Sequence, residues 1–406
     1  MNAAPPAVDA DSQSDSRRPV WLVSLAVLLA SSTWFAGTAV APQLAASWSL
    51  DSTRAASLTS ATQFGFLVGT VLFAVLNLAD RFRARAVFAG AALAGALANA
   101  GFAAASGLES AVPLRFLTGI TLAGVYPVGM KIVASFSTHG LGLRLGIMVG
   151  ALGVGTALPF LVQWSAVGLP WRAVVAFASV AASAGAALVW LALEDGPHLR
   201  TRARFDASAA FRVFHDPAFR LNACGYFGHM WELYTVWSLQ VFFLRQALPW
   251  AAPHAPLLAF GVVAIGALGC VGGGLLARRL GERTVALRAL VASTLACLLS
   301  PWAFTLPAWA LIPFMLVWGL VIVADSPQFS ALAARLSPPE YVGTALTVQN
   351  GLGFALTVVS IQCVAWLGET LGWRYVFLFL APGPALGAWS MRRLGKVLAQ
   401  RGGGWL

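Results

Sequence analysis

The chain has 406 residues, of which 59% are apolar and only 10% charged. Soluble globular chains carry roughly 25% charged residues, so this composition excludes a water-soluble globular protein and calls for a bilayer to take up the apolar surface. The net charge of +11 resides in Arg side chains set in short gaps between long apolar runs. That pattern belongs to basic loops between membrane spans, not to a nucleic-acid-binding stripe or tail.

Residues 1–18 are polar and contain Asp9, Asp11 and Asp15; they read as a disordered cytoplasmic leader. The apolar run that follows, Pro19 to Trp48, is longer than the roughly 7–15 residues of a signal-peptide core, so it reads as an uncleaved first span. A spanning helix needs about 20 mostly apolar residues. Twelve such runs fall at 19–44, 56–79, 87–106, 112–135, 144–166, 172–193, 219–245, 255–277, 284–304, 307–333, 342–367 and 372–391. The long gap 194–218, rich in acids, bases and Pro, divides them into bundles 19–193 and 219–391, and 392–406 is left as a tail. With the N-terminus in the cytoplasm, twenty Lys and Arg fall on the cytoplasmic side, against Arg54, Arg172, Arg245 and Arg374 outside. This is a decisive positive-inside bias, and an even span count returns the C-terminus to the cytoplasm. Cys224, Cys270, Cys297 and Cys363 lie in apolar runs with no metal-like or paired spacing. They read as small buried hydrophobes, with no disulfide, metal or other cofactor expected.

The two bundles carry matching segments. Trp171, Arg172 and Phe177 correspond to Trp373, Arg374 and Phe379 at an offset of 202, and the loop ending at Arg85 corresponds to the loop ending at Arg283 at an offset of 198. Duplicated units are common in transporter folds, with the solute site between the repeats near the midplane. Six plus six spans, a basic central linker and the loop Leu78, Ala79, Asp80, Arg81 and Arg85 together resemble the major facilitator superfamily. The chain departs from the family's loop pattern at Leu76 and Arg83, where Gly is usual; the second copy supplies Gly274, Leu276, Arg279, Gly281 and Arg283. Arg115 and Gly119 match the family's R-x-x-x-G pattern in span 4, and Gly146, Gly150, Gly153 and Gly155 partly match an antiporter glycine motif in span 5. The stretches LAGVYPVGMK and GHMWELY are similar in flavour to a bacterial, nitrate/nitrite-porter-like branch, although spans 2 and 8 lack the Arg that nitrate porters place there. The resemblance implies an all-α integral membrane protein, twelve helices in two six-helix bundles related by a pseudo-two-fold axis. It also implies a monomer in the bacterial inner membrane with both termini cytoplasmic, and a cytoplasmic latch at Asp80, Arg81, Arg85 and Arg279.

Ionisable residues inside spans are costly and are functional candidates by default. Here they are few. Glu232 and Asp325 are the only acids within spans and His229 the only histidine, and Arg115 and Lys131 are the Lys and Arg that stand out there once the loop-flanking cations are counted with the loops. His229 lies three residues before Glu232, on the same helical face, and an imidazole beside a carboxyl is proton-exchange chemistry. Asp325 precedes Pro327 in span 10, where an interrupted helix frees carbonyls; a latch to Arg335 is the alternative. Glu232, His229 and Asp325 are therefore the candidates for proton coupling. Arg115 and Lys131 are sixteen residues apart, roughly 24 Å along a helix, too far to clasp one small anion together. Mid-span Trp34, Gln63, Tyr126, Tyr234, Trp237, Gln349 and Asn350 join Arg115 and Lys131 as candidates for solute binding. The expected function is alternating-access transport of a small polar or anionic solute, driven by protons. Proton-driven export of amphiphilic compounds is the second reading. A membrane enzyme or sensor is the third; the sequence has no HExxH, GxSxG or P-loop motif and no sizeable soluble domain.

Overall fold

The computed structural model describes residues 17–136, 141–165, 169–194, 196, 212–338 and 341–401. The leader expected at 1–18 lies outside this set except for Arg17 and Arg18, which open the first helix, as does most of the linker 194–218. The described residues form twelve helical rods. Ten are long and apolar enough to cross a membrane: span 1 Arg18–Ser47, span 2 Ser52–Val75, span 3 Ala84–Ala103, span 4 Leu108–Ser135, span 5 Arg144–Ser165, span 6 Trp171–Ala192, span 8 Pro249–Leu280, span 9 Glu282–Ala303, span 10 Ala308–Leu336 and span 11 Val342–Leu371. The other two rods are span 7, Pro217–Ala247, and span 12, Pro382–Gln400, entered through a 3-10 turn at Val376–Leu380. Polar residues dilute their hydropathy: Arg220, His229, Glu232 and Arg245 in span 7, and Arg392, Arg393 and Lys396 in span 12. Span 12 stays helical to Gln400, beyond the apolar run that ends near 391, since the Arg, Leu, Lys and Ala that follow are good helix formers.

The internal duplication is visible in the packing. Spans 4 and 10 both break, at residues 123–125 and 322–325, just before Pro127 and Pro327, since proline cannot donate to the preceding turn. Gly119 lies against the carbonyl of Thr62, and Gly319, 200 residues on, lies against that of Val262. Gly69 against Ile120 and Gly269 against Leu320 repeat the relation. Between lipid-exposed helices there is little hydrophobic drive to associate, so close backbone approach at small residues supplies the attraction. The halves meet where span 2 packs on span 11 and span 5 on span 8, with Gly351 against Leu67 and Gly150 against Ala267.

One face of this seam is hydrogen-bonded across the halves. At the start of span 2, Ser52 N donates to Glu369 Oε1 at the end of span 11 at 2.9 Å, and Ser52 Oγ donates to the Ala365 carbonyl at 3.1 Å. Gln362 Nε2 donates to Ser60 Oγ at 2.8 Å, and Trp164 Nε1 at the end of span 5 donates to His254 Nδ1 at the start of span 8 at 3.1 Å. This face carries the loops that follow odd-numbered spans, the face with Arg54, Arg172, Arg245 and Arg374. Of the cysteines, Cys270 and Cys297 are buried, whereas Cys224 and Cys363 are exposed on outward helix faces.

Candidate functional site

A cavity of about 80 Å³ lies on the seam, with walls from both halves. That is room for roughly five to eight waters at 10–15 Å³ each. Span 7 supplies one wall through Tyr226, Met230, Leu233, Tyr234 and Trp237. These positions recur at helical spacing and share a face. Span 1 contributes Trp34, span 2 Phe66 and Thr70, span 4 Tyr126, and span 11 Asn350 and Phe354. Among the described residues, no Asp, Glu, Lys, Arg or His lines it.

The wall is aromatic and bridges the halves. Trp34 lies 4.8 Å from Phe66 and stacks on Tyr234 at 5.9 Å between ring centroids. Phe66 meets Phe354 at 4.4 Å, and Phe35 stands edge-on to Tyr234 and Trp237 at 6.2 and 6.3 Å. Offset and edge-to-face pairs of this kind add about 0.5–1.5 kcal/mol each beyond area burial.

Of the nine residues the sequence suggests for solute binding, five line the cavity: Trp34, Tyr126, Tyr234, Trp237 and Asn350. The other four stand outside its lining, and three of them brace helices. Gln63 Oε1 accepts the Trp34 indole N–H at 3.2 Å. Gln349 Oε1 accepts from Asn222, which also donates to the Phe329 carbonyl. Arg115 is fully buried; its Nη2 donates to the carbonyls of Thr33 and Trp34 at 2.8 and 2.6 Å and its Nη1 to Asn99 Oδ1 at 2.7 Å. Span 1 is interrupted at residues 32–35, so these carbonyls have lost helical partners and the guanidinium replaces them. Lys131 Nζ donates to the Ala79 carbonyl, which ties the end of span 4 to the turn Leu78–Arg81.

The titratable set of the other half sits one layer behind the wall. Tyr226, Met230, Leu233 and Ser326 face the cavity, while His229, Glu232 and Asp325 point into the C-terminal bundle, each at most 2% exposed. His229 pairs with Asp325, Nδ1 to Oδ1 at 2.8 Å. Ring and carboxylate are poorly aligned for a straight hydrogen bond, so the contact is chiefly electrostatic. Glu232 Oε1 accepts the Trp318 indole N–H at 2.7 Å and the Cys297 thiol at 3.5 Å. Arg335 pairs with Glu282 instead of Asp325. In the loop between spans 2 and 3, Arg85 Nη1 donates to the Leu193 carbonyl at 3.0 Å. Arg81 and Arg279 are exposed, and the Asp80 side chain lies outside the described set.

Residues 22–361 match the sequence profile of the Major Facilitator Superfamily. The chain belongs to that family. Solved structures of other family folds superpose on nearly all of it. A variant of the nucleoside transporter NupG gives a TM-score of 0.75 at 13% identity, covering 93% of this chain and 99% of that one. A bacterial homolog of the human lysosomal transporter Spinster, inward-facing and occupied, gives 0.72 at 14% over 97% and 99%. The human organic anion transporter MFSD10 gives 0.68 at 17% over 93% and 99%. At such identities these likenesses establish the fold alone. A stretch of 82 residues is 38% identical to the transcription regulatory protein OpdE of Pseudomonas aeruginosa; it spans 20% of this chain and only 20% of that relative's length.

Two partners were not signalled by the ionisable residues alone. Trp318 was hidden among sixteen Trp, and Asn99 among the small residues of span 3. Tyr226 was reachable: it stands two turns before Tyr234 on the face that Trp237 shares.

Proposed function

We propose that this major facilitator protein is a proton-coupled secondary transporter in a bacterial inner membrane, with both termini cytoplasmic. The central cavity is its solute site, and His229, Asp325 and Glu232 are its proton-exchanging groups. The observation that carries this reading is the cavity's position on the seam of two pseudo-symmetric bundles, closed on one face by bonds that cross between them. A site shared by two bodies that rock about it is what alternating access requires. The interrupted span 10 places Asp325 beside freed backbone, and the chain neighbours of all three titratable residues form the cavity wall, so a proton gained or lost there changes the packing of that wall. Asp80, Arg81, Arg85 and Arg279 lie on the opposite, basic face, and their proposed role is to latch it when the cavity opens outward.

The wall favours an amphiphilic solute without negative charge over a small anion. Aromatic faces are electron-rich and attract cations. A carboxylate or inorganic anion entering would lose water with no charged donor to replace it, and isolated buried charges cost many kcal/mol. Arg115 and Lys131 are engaged with backbone carbonyls away from the cavity. Trp34, Tyr126, Tyr234, Trp237 and Asn350 are the solute contacts on this reading, and Gln63, Gln349 and Arg115 hold the helices that carry them.

The test is solute counterflow in proteoliposomes with matched panels of anionic, neutral and cationic compounds of similar size. Neutral or cationic aromatic amphiphiles should exchange, and Trp237→Ala should weaken their binding at least tenfold. Exchange confined to small inorganic anions, and unaffected by Trp237→Ala, would overturn the solute assignment.

A further inference from the structure

The closed face of the seam contains one bond that protonation of its acceptor would abolish. Trp164 Nε1, at the end of span 5, donates to His254 Nδ1 at 3.1 Å. An indole N–H can only donate, so Nδ1 must be a bare acceptor and the ring must be neutral, with its proton on Nε2. Protonation places a hydrogen on Nδ1, pointing at the indole N–H, and the bond is lost. The ring centroids are 6.5 Å apart, beyond the roughly 6 Å within which cation–π attraction would take over. His254 and Trp164 belong to different halves, and the other cross-seam bonds on this face use no imidazole: an amide N–H on a carboxylate, a hydroxyl on a carbonyl and an amide on a hydroxyl.

We propose that the Trp164–His254 pair is a proton-sensitive clasp: acid on this face, the outer face in the orientation proposed above, releases the two halves and biases the transporter toward opening there. The 3-10 turn Pro249–His254 packs on span 7 and on the first helix of span 8. From span 7 the charged neighbour is Arg245, in its last turn. The first helix of span 8, Ala255–Ala264, contains no titratable residue, nor does the end of span 5 from Leu161 to Ser165. Acid outside is the condition under which a proton-driven carrier needs its outer face open, and the clasp ties that conformation to the driving ion without any change at the buried acids.

The experiment reads conformation and needs no solute, so it stands or falls apart from the solute and coupling assignments. Spin labels at Ser106→Cys and Thr305→Cys, exposed positions on this face of each half, are placed in a Cys224→Ser, Cys363→Ser background and measured in nanodiscs at pH 8 and pH 5.5. Loss of one hydrogen bond shifts such an equilibrium by about fivefold. The wild-type clasp should therefore give an open, long-distance population about five times larger at pH 5.5 than at pH 8. Trp164→Phe and His254→Phe should each raise the open population at pH 8 and remove most of the pH response. Glu369→Gln, which keeps an acceptor for Ser52, should retain it. Each variant is checked for a wild-type melting temperature and a single elution peak. An unchanged pH response in folded Trp164→Phe, or no pH response in the wild-type clasp, would overturn the proposal.

Discussion

The two halves of the molecule share a backbone plan and use opposite chemistry within it. In the N-terminal half, span 1 is interrupted at residues 32–35, and Arg115 from span 4 fills the gap with three hydrogen bonds to neutral acceptors. In the C-terminal half, span 7 runs unbroken from Pro217 to Ala247 and carries His229 and Glu232, which meet Asp325 and Trp318 of span 10. The position 200 residues after Arg115 is Met315. Duplication has thus preserved the glycine contacts that set helix spacing, while one copy spends its buried charge on holding backbone and the other keeps titratable groups in pairs that a proton can rearrange. On the proposed reading, the difference teaches that a buried charge is not equally functional wherever it occurs. What separates the two cases is whether its partners can change protonation state.

This contrast can be broken experimentally, and the largest effect is expected at Arg115. Arg115→Met leaves two carbonyls and the Asn99 amide oxygen buried without that donor, at about 1–3 kcal/mol each. The folded yield in detergent should collapse, and the melting temperature of what survives should fall by well over 5 °C. Next come Gly119→Ala and Gly319→Ala. Each Cβ would meet a backbone oxygen at 2.1 or 2.2 Å, and overpacking of this kind costs about 1–3 kcal/mol. Thermal shifts of similar size in the two variants are expected if the duplicated contacts bear equal load; a shift in only one would show that the halves have diverged in packing as well as in charge. Glu232→Gln should act the other way round. The amide oxygen still accepts from Trp318, so stability should change by less than about 1 kcal/mol, while transport loses its dependence on the proton gradient. The smallest effect is expected for Cys297→Ala. The thiol is a weak donor at 3.5 Å from Glu232, and its removal should leave transport within about twofold of wild type and modestly lower the melting temperature, in line with a small core truncation.

Much of the architecture was legible in the sequence because lipid imposes a coarse rule: every span must be long and apolar, and loop Arg residues reveal its direction. The twelve spans and the shortlist of buried ionisable residues came from that rule, and the repeat from matched segments such as Trp171–Arg172 and Trp373–Arg374. Its failures are equally physical. Hydropathy placed the end of span 12 at the last apolar residue, but Arg392, Arg393 and Lys396 are good helix formers and the helix runs on through them to Gln400. The shortlist recognised Arg115 as unusual and could not show that its partners are carbonyls, since a helix break two spans away leaves no mark on residue 115. Helical phase was the unused signal. Glu232 and Tyr234 are about 200° apart around span 7 at 100° per residue, so the two could not both face the cavity, and it is Tyr234 that does. Pairing of His229 with Asp325 rather than Glu232 depends on how span 10 breaks at Pro327, which is a tertiary fact.

The measurement that bears most directly on the account is solute-driven proton movement. Protein in proteoliposomes with a trapped pH dye is given an amphiphilic solute found by counterflow, with no imposed gradient, for wild type, Glu232→Gln and Asp325→Asn. The account predicts a solute-dependent change in internal pH with wild type and none with either variant, each of which still exchanges solute in counterflow. Solute exchange by wild type without any proton movement, or full proton movement by both variants, would contradict it.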